Sequence, residues 1–361
     1  MTIAFDPGAF ALRSLRRRGR ELVARRCRTI AVTVSDNDAR RRWLERSNLP
    51  HLVAEKFLVL PGEAAIEAEG LFGAIPRDLL PNGELPKSDP VTRQVIAMLV
   101  DGMLPWSSHP QEVCCFSQPG CEKRVLHDDP TFDQRMQFFS RIIRLRGYHP
   151  LPLNPATALV LAELGSAGFT GVGIVLGASG CDVAVVHRGS QIACGRLPRG
   201  GRWIDEQLAR RQHVLEGNSS GRDEVDVEAG RRQKEAASLL APGNEAGRQV
   251  VDLYGNLIAE LVEVLCETLA SQSQIALLPQ PLPLVCGGGT AKIPGFKDLF
   301  ESELLRQQFP VALAGLRMAA DSEYSVARGC LIHATLEQSP ATSLEECGHS
   351  AKERPGHRLV S

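Results

Sequence analysis

Two glycine-rich runs are the residues of this chain best suited to hold a ligand through the main chain. Gly287-Gly288-Gly289-Thr290 closes the apolar run Leu284-Val285-Cys286 and leads into Ala291-Lys292-Ile293-Pro294-Gly295-Phe296. That order reads as a buried strand, a tight turn, then a helix with Pro294 near its start, where a missing N–H costs nothing. Glycines there permit φ > 0 and let a ligand approach the backbone closely, and the helix start offers unpaired N–H groups to an electron-rich group. The second run, Gly177-Ala178-Ser179-Gly180-Cys181-Asp182, joins Ile174-Val175-Leu176 to Val183-Ala184-Val185-Val186 and reads as a strand hairpin. One such turn is weak evidence of binding, whereas two in this order are more specific.

The flanking segments supply the elements that would position these turns. Residues 3–5 and 30–34 read as short strands bracketing the basic segment Arg13 to Arg28. Clustered arginines invite a nucleic-acid or membrane reading. Aromatic interleaving is absent and the rest of the chain is not basic, so the segment is read as the solvent face of hairpin strands, with Leu12, Leu15, Leu22 and Val23 turned inward. A helix around Trp43 and the strand Phe57-Leu58-Val59-Leu60 follow, and the proline- and glycine-rich stretch 75–90 is expected to be a surface connection. Helices are predicted over Val91 to Leu104 and Phe132 to Arg146, with a strand at Glu112 to Ser117 between them. Asn154-Pro155-Ala156-Thr157-Ala158 turns into a small-residue helix, and Gly200-Gly201 opens another. The polar stretch 214–230 is expected to be a loop. Val250 to Leu269 carries one apolar face, and the chain turns polar from about residue 337, where a disordered tail is expected.

Bulk composition narrows the function classes. A length of 361 residues suits two lobes. A net charge of −1 gives no general argument for nucleic acid or an anionic membrane. The 10 cysteines show no metal-ligand spacing, and several sit inside apolar runs, so a reducing, cytoplasmic setting is expected. Asp6 follows Met1-Thr2-Ile3-Ala4-Phe5 too early for a signal peptide, and no window reaches the ~20 apolar residues of a membrane span. The histidines pair with no serine or cysteine nucleophile.

Taken in order, the pieces resemble the actin-like ATPase superfamily, which includes actin, the bacterial actin MreB and the DnaK-type heat-shock chaperones. The resemblance spans residues 3 to 335. Asp6-Pro7-Gly8-Ala9-Phe10 falls at the first phosphate loop, and Gly177-Ala178-Ser179-Gly180-Cys181-Asp182 at the second. Asn154-Pro155-Ala156-Thr157-Ala158 is similar to the first connecting helix, and Ser325-Val326-Ala327-Arg328-Gly329-Cys330 to the second. Arg231 to Ser238 resembles the chaperone helix whose Lys and Ser touch adenosine; the run beginning Gly287-Gly288-Gly289-Thr290 is close to the adenosine loop and is the strongest match.

The resemblance implies an α/β fold of two lobes, each a duplicated mixed sheet with flanking helices, around a nucleotide-sized cleft. The first lobe would span 1–165 with a small insertion at about 36–95, and the second 166–336 with one at about 205–245. It implies a site for ATP or ADP built from Asp6, Gly8, Gly177, Ser179, Gly180, Lys234, Ser238, Gly287, Gly288, Gly289 and Thr290, with Mg²⁺ near Asp6. It also implies a protein partner or self-association into an oligomer or filament, and gives no reason to expect nucleic acid.

The chain departs from the family at the chemistry. Ala9 replaces a hydroxyl residue, Val175 replaces the second loop's leading carboxylate, Asn154 replaces the water-positioning Glu, and Phe10 crowds the phosphate path. The expectation is nucleotide-gated assembly or partner binding with weak or absent ATP hydrolysis. Its rivals are an active ATPase recruiting unconventional groups and a scaffold or filament subunit that binds no nucleotide. A sugar or acetate kinase is disfavoured for want of an inserted Asp base.

Overall fold

The computed structural model describes residues 2–109, 111–120, 130–215 and 226–338. The polar stretch from 339, Cys121 and most of the loop expected at 214–230 lie outside these residues.

The chain opens as a three-stranded meander, β1 (Ile3–Pro7), β2 (Ala11–Arg18) and β3 (Glu21–Arg28). Leu12 and Leu15, on opposite faces of β2, are both buried because each face of the sheet is covered there, but Leu22 is 59% exposed, on the edge strand β3. An insertion follows: β4 (Ile30–Ser35), α1 (Asp38–Arg46), β5 (Leu52–Ala54), β6 (Phe57–Pro61), α2 (Glu63–Phe72) and β7 (Arg77–Asp78). Its strands pair in the order β5-β6-β4-β7 over a separate apolar core around Leu44, Leu58 and Leu60. The stretch 75–90 is more than a surface connection. Leu79, Leu80 and Leu85 are buried in the core under β1, so its turns hang from three apolar anchors.

α3 (Pro90–Met103), capped by Asp89, returns the chain to the first sheet. β8 (Val113–Ser117), α4 (Pro130–Leu145) and β9 (His149–Leu153) then complete that sheet in the order β3-β2-β1-β8-β9. After α5 (Pro155–Glu163), the strands β10 (Gly171–Leu176), β11 (Cys181–His187) and β12 (Ser190–Leu197) repeat the meander. α6 (Gly201–Leu215), α7 (Val227–Ala236) and α8 (Glu245–Ala270) precede β13 (Leu282–Gly287), α9 (Phe296–Arg306), β14 (Leu313–Met318) and α10 (Ser325–Gln338). The second sheet has the order β12-β11-β10-β13-β14, the same topology as the first. In each, an antiparallel hairpin (β1 with β2, β10 with β11) adjoins a parallel neighbour (β8, β13). Parallel neighbours need a helical crossover, which is why the helices lie between these strands in sequence.

The two sheets are tied by an exchange of helices. α5 packs under β10, β11 and β13, whereas α10, from the last stretch of the chain, packs on β1, β2 and β8 and against α5. A Cβ on Gly329 would lie 1.7 Å from Ala158 O, and one on Gly173 would lie 2.2 Å from Ala156 O. Bare backbone at both points lets α5 pass between helix and sheet. No described helix is long and apolar enough to cross a membrane.

Candidate functional site

A cavity of about 720 Å³ opens between the sheets at the ends of β1 and β10. Equivalent hairpin turns reach it because both strands end at the same edge: Pro7 pairs with Leu12 in one sheet and Leu176 with Cys181 in the other. Its wall includes Asp6, Gly8, Gly177, Ser179, Gly180, Lys234, Gly288, Gly289 and Thr290, all expected from sequence, together with Val175.

The turns are built backbone on backbone. Gly177 N–H donates to Gly180 O at 2.9 Å, closing the second loop. Gly201 N–H donates to Gly177 O at 3.0 Å and Arg202 N–H to Ala178 O at 2.9 Å, so the first turn of α6 is spent on this loop. Thr290 Oγ1 also donates to Gly177 O (2.9 Å), and the Tyr254 hydroxyl on α8 donates to Thr290 O (3.0 Å). Gly288 sits at φ +103°, where a Cβ would lie 2.2 Å from Leu176 O. A side chain at 288 would therefore break the turn itself, not merely fill the ligand space. Gly289 is different: a Cβ there meets nothing within 4 Å.

Three expected residues do not line the cavity. Asn154 caps α5: its Oδ1 accepts from Ala156 N (2.8 Å) and Thr157 N (3.3 Å), and its Nδ2 donates to Gly120 O (2.9 Å). Both ends of the amide are thus engaged in holding the start of α5, and the residue is 8% exposed. Ser238 accepts locally from Leu240 N at 3.3 Å. Gly287 packs against Leu159 and Ala319 at the back of the turn.

The electrostatics are dominated by arginine. Asp6 accepts from Ser117 Oγ and faces Arg13 Nη1 at 3.5 Å. Asp182, cross-strand neighbour of Val175, is held by Arg196 Nη1 at 2.9 and 2.8 Å to its two oxygens and accepts from Gly120 N at 3.0 Å. A hydrated Mg²⁺ needs free carboxylate oxygens. Both carboxylates at the two hairpin turns are already paired, and the described residues contain no group of three or more potential metal ligands. The donor set does not fit the metal. Lys234 pairs with Asp205 at 2.6 Å and donates to Gly201 O at 3.0 Å. Burial raises the Asp205 carboxyl to about 6 even though Lys234 pulls it down.

Sequence reading missed the cations. Arg13, Arg26 and Arg28 line the cavity, although the basic segment was expected to face solvent. Arg17, Arg18, Arg20 and Arg25 do face solvent. The available signal was strand alternation: Arg26 and Arg28 lie two apart, and Arg13 is the register partner of Arg26, so all three share one face. Phe10 gathers them, with the Arg28 guanidinium 4.0 Å from its ring centre and those of Arg26 and Arg231 at 6.0 Å. Arg135 and Arg196, distant in sequence, had no such signal.

The structure is similar to the MamK double helical filament (TM-score 0.63, 15% identity, covering 93% of this chain and 99% of that one). It is also similar to MreB 5 of Spiroplasma citri bound to AMPPNP (TM-score 0.64, 13% identity, 93% and 96% covered) and bound to ADP (TM-score 0.63, 13% identity, 93% and 96% covered). These likenesses establish an actin-like fold of two lobes. No curated protein matches the sequence. The Volactin family profile matches residues 1–334, and the chain belongs to the Volactin family.

Proposed function

We propose that this protein binds an adenine nucleotide in the interlobe cleft and that the nucleotide gates assembly with further copies of the chain, with little or no hydrolysis. The observation that carries this reading is the cavity of about 720 Å³ walled by turns from both sheets, since a ligand bridging two lobes can bias how they sit. Assembly draws support from the likeness to a protein solved as a double helical filament, and the adenine nucleotide from likenesses to structures with AMPPNP and ADP. Residues 1–165 and 166–336 are read as the lobe segments, exchanging α5 and α10 across the cleft. The buried free thiols of Cys114, Cys115, Cys286 and Cys330 support a reducing, cytoplasmic setting, and the disulfide at Cys194 speaks against it.

The test is thermal melting and pelleting with ADP, AMPPNP or no nucleotide. A ligand seen only by the native state adds about 2.7 kcal/mol at a hundredfold excess over Kd, so Tm should rise, and the pelleted fraction should change with it. Gly289→Val should abolish the shift while leaving the unliganded Tm close to wild type, because its side chain enters open space. An equal shift in wild type and variant would place the nucleotide elsewhere. One observation favours the reading of a scaffold without nucleotide: Phe10, stacked with Arg28, occupies part of the cleft. Pelleting without any nucleotide response would support it.

A further inference from the structure

The cleft carries far more positive charge than its own acids use. Seven arginines and two lysines line it, against five carboxylates. Most of these cations have a carboxylate beside them. Arg28 and Arg135 do not: among the described residues neither guanidinium has a carboxylate within 4.0 Å, and Glu63 reaches Arg28 only at its backbone N–H, at 3.3 Å. Arg135 is 6% exposed, donates from Nη2 to Pro7 O at 2.7 Å, and leaves its buried Nε without a partner. Arg28 also has an unpartnered buried Nε and is braced by the Phe10 ring. Burial and the neighbouring Arg196 depress Arg135 to about 10, and burial and Arg231 depress Arg28, so both are held charged at a cost that an anion would relieve.

The same cavity has closed the two carboxylates at its hairpin turns to a metal. Asp6 faces Arg13, and Asp182 is gripped through both oxygens by Arg196. In the ordinary arrangement a divalent cation offsets the charge of a polyphosphate. Here fixed guanidinium groups are already in place to do so, in the fork geometry that suits phosphate oxygens.

We propose that this cleft holds a di- or triphosphate group, free or on a nucleotide, without a divalent cation, with Arg28 and Arg135 supplying the counter-charge. The proposal deepens the nucleotide reading and rests on it for the identity of the ligand, but not for the polyphosphate chemistry.

The experiment is calorimetric titration of the full chain with ADP and with inorganic tripolyphosphate, each in excess MgCl₂ and in EDTA. Affinity should change by less than about twofold on chelation. Arg28→Gln and Arg135→Met should each weaken binding by about tenfold or more, the loss expected when a charge-assisted hydrogen bond is removed. Circular dichroism confirms folding, and Arg28, the more accessible of the two, keeps the test decisive if the buried Arg135 variant does not fold. Arg13→Gln with Arg196→Gln frees both carboxylates and should make binding sensitive to chelation. Loss of more than about tenfold in affinity on chelating the wild type would overturn the proposal while leaving the nucleotide reading intact. Tripolyphosphate binding in EDTA without ADP binding would sustain the proposal and overturn the nucleotide reading. Absence of binding under every condition would overturn both.

Discussion

At the scale of single residues, the cleft is governed by what each polar group is already bound to. Asp205 is the clearest case: it is 6% exposed and lies 2.6 Å from Lys234, yet burial outweighs that attraction and raises its carboxyl to about 6. An unfolded Asp titrates near about 3.9, so between the two values the native state holds a proton that the unfolded chain has released. The group's stabilising contribution is therefore complete below about pH 4 and is lost as pH rises through about 6, an effect on the order of 2–3 kcal/mol. Wild type should lose stability relative to Asp205→Asn between pH 5 and pH 8 in denaturant titrations. A wild type that holds level with the variant over that range would show that Lys234, not burial, sets the balance. The turn glycines were legible in the sequence because few other residues tolerate such positions, as Gly288 shows with its φ of +103°. The charge pairing was not legible, because Asp6 with Arg13 follows from hairpin register, and the spare charge of Arg135 follows only from α4 packing beneath Pro7.

At the scale of elements, the crossing of α5 and α10 is what makes two sheets into one molecule. Glu163, at the end of α5, accepts from Ser325 Oγ at 2.8 Å and lies 3.4 Å from Arg317 on β14 and 3.7 Å from Arg328 on α10, with its side chain 2% exposed. Beside this polar joint, Gly329 lets α10 pass against the α5 backbone, where a Cβ would be 1.7 Å from Ala158 O. Gly255, inside α8, has nothing within 4 Å of the same added atom. One substitution should thus act with opposite signs. Gly329→Ala should destabilise by about 1–3 kcal/mol or more through overpacking, and Gly255→Ala should stabilise by about 0.5–1 kcal/mol through helix propensity. Urea titrations of the two variants check this, and equal effects would mean that the crossing is loose. α5 and the strand–turn–strand repeat were visible in the sequence, since turn chemistry is local, whereas α10 was expected only from its likeness to the family's second connecting helix. That α10 would leave its own segment to pack on β1 and β8 was not legible, because nothing local to the helix encodes which sheet it packs on, and the burial of Leu79, Leu80 and Leu85 was hidden among prolines and glycines that signal a turn.

At the scale of the whole molecule, the lobes are strapped together across the cleft. Arg202 on α6 pairs with Asp78 on β7, Arg26 on β3 reaches Glu323 at 2.8 Å, and Arg231 on α7 lies over Phe10. On the proposed reading, a nucleotide held in such a cleft reports its presence to an assembly surface without being cleaved. Asn154 is occupied as a helix cap, Val175 is apolar, and Asp6 and Asp182 are paired with arginines. Losing one positioning or electrostatic group typically costs on the order of 10²–10³ in rate. Restoring two family-like carboxylates by Val175→Asp with Asn154→Glu should not recover turnover. A carboxylate in place of the Asn154 amide cannot donate to Gly120 O, and one in place of the Val175 side chain would face Asp182 directly across the hairpin. Assemblies formed with nucleotide should consequently not age. With ATP the pelleted fraction should match that with AMPPNP and hold steady over hours, with phosphate release at background for wild type and double variant alike. Assemblies that form with ATP, release phosphate and then shrink, while those with AMPPNP persist, would instead make this an active ATPase whose cleft rearranges on assembly.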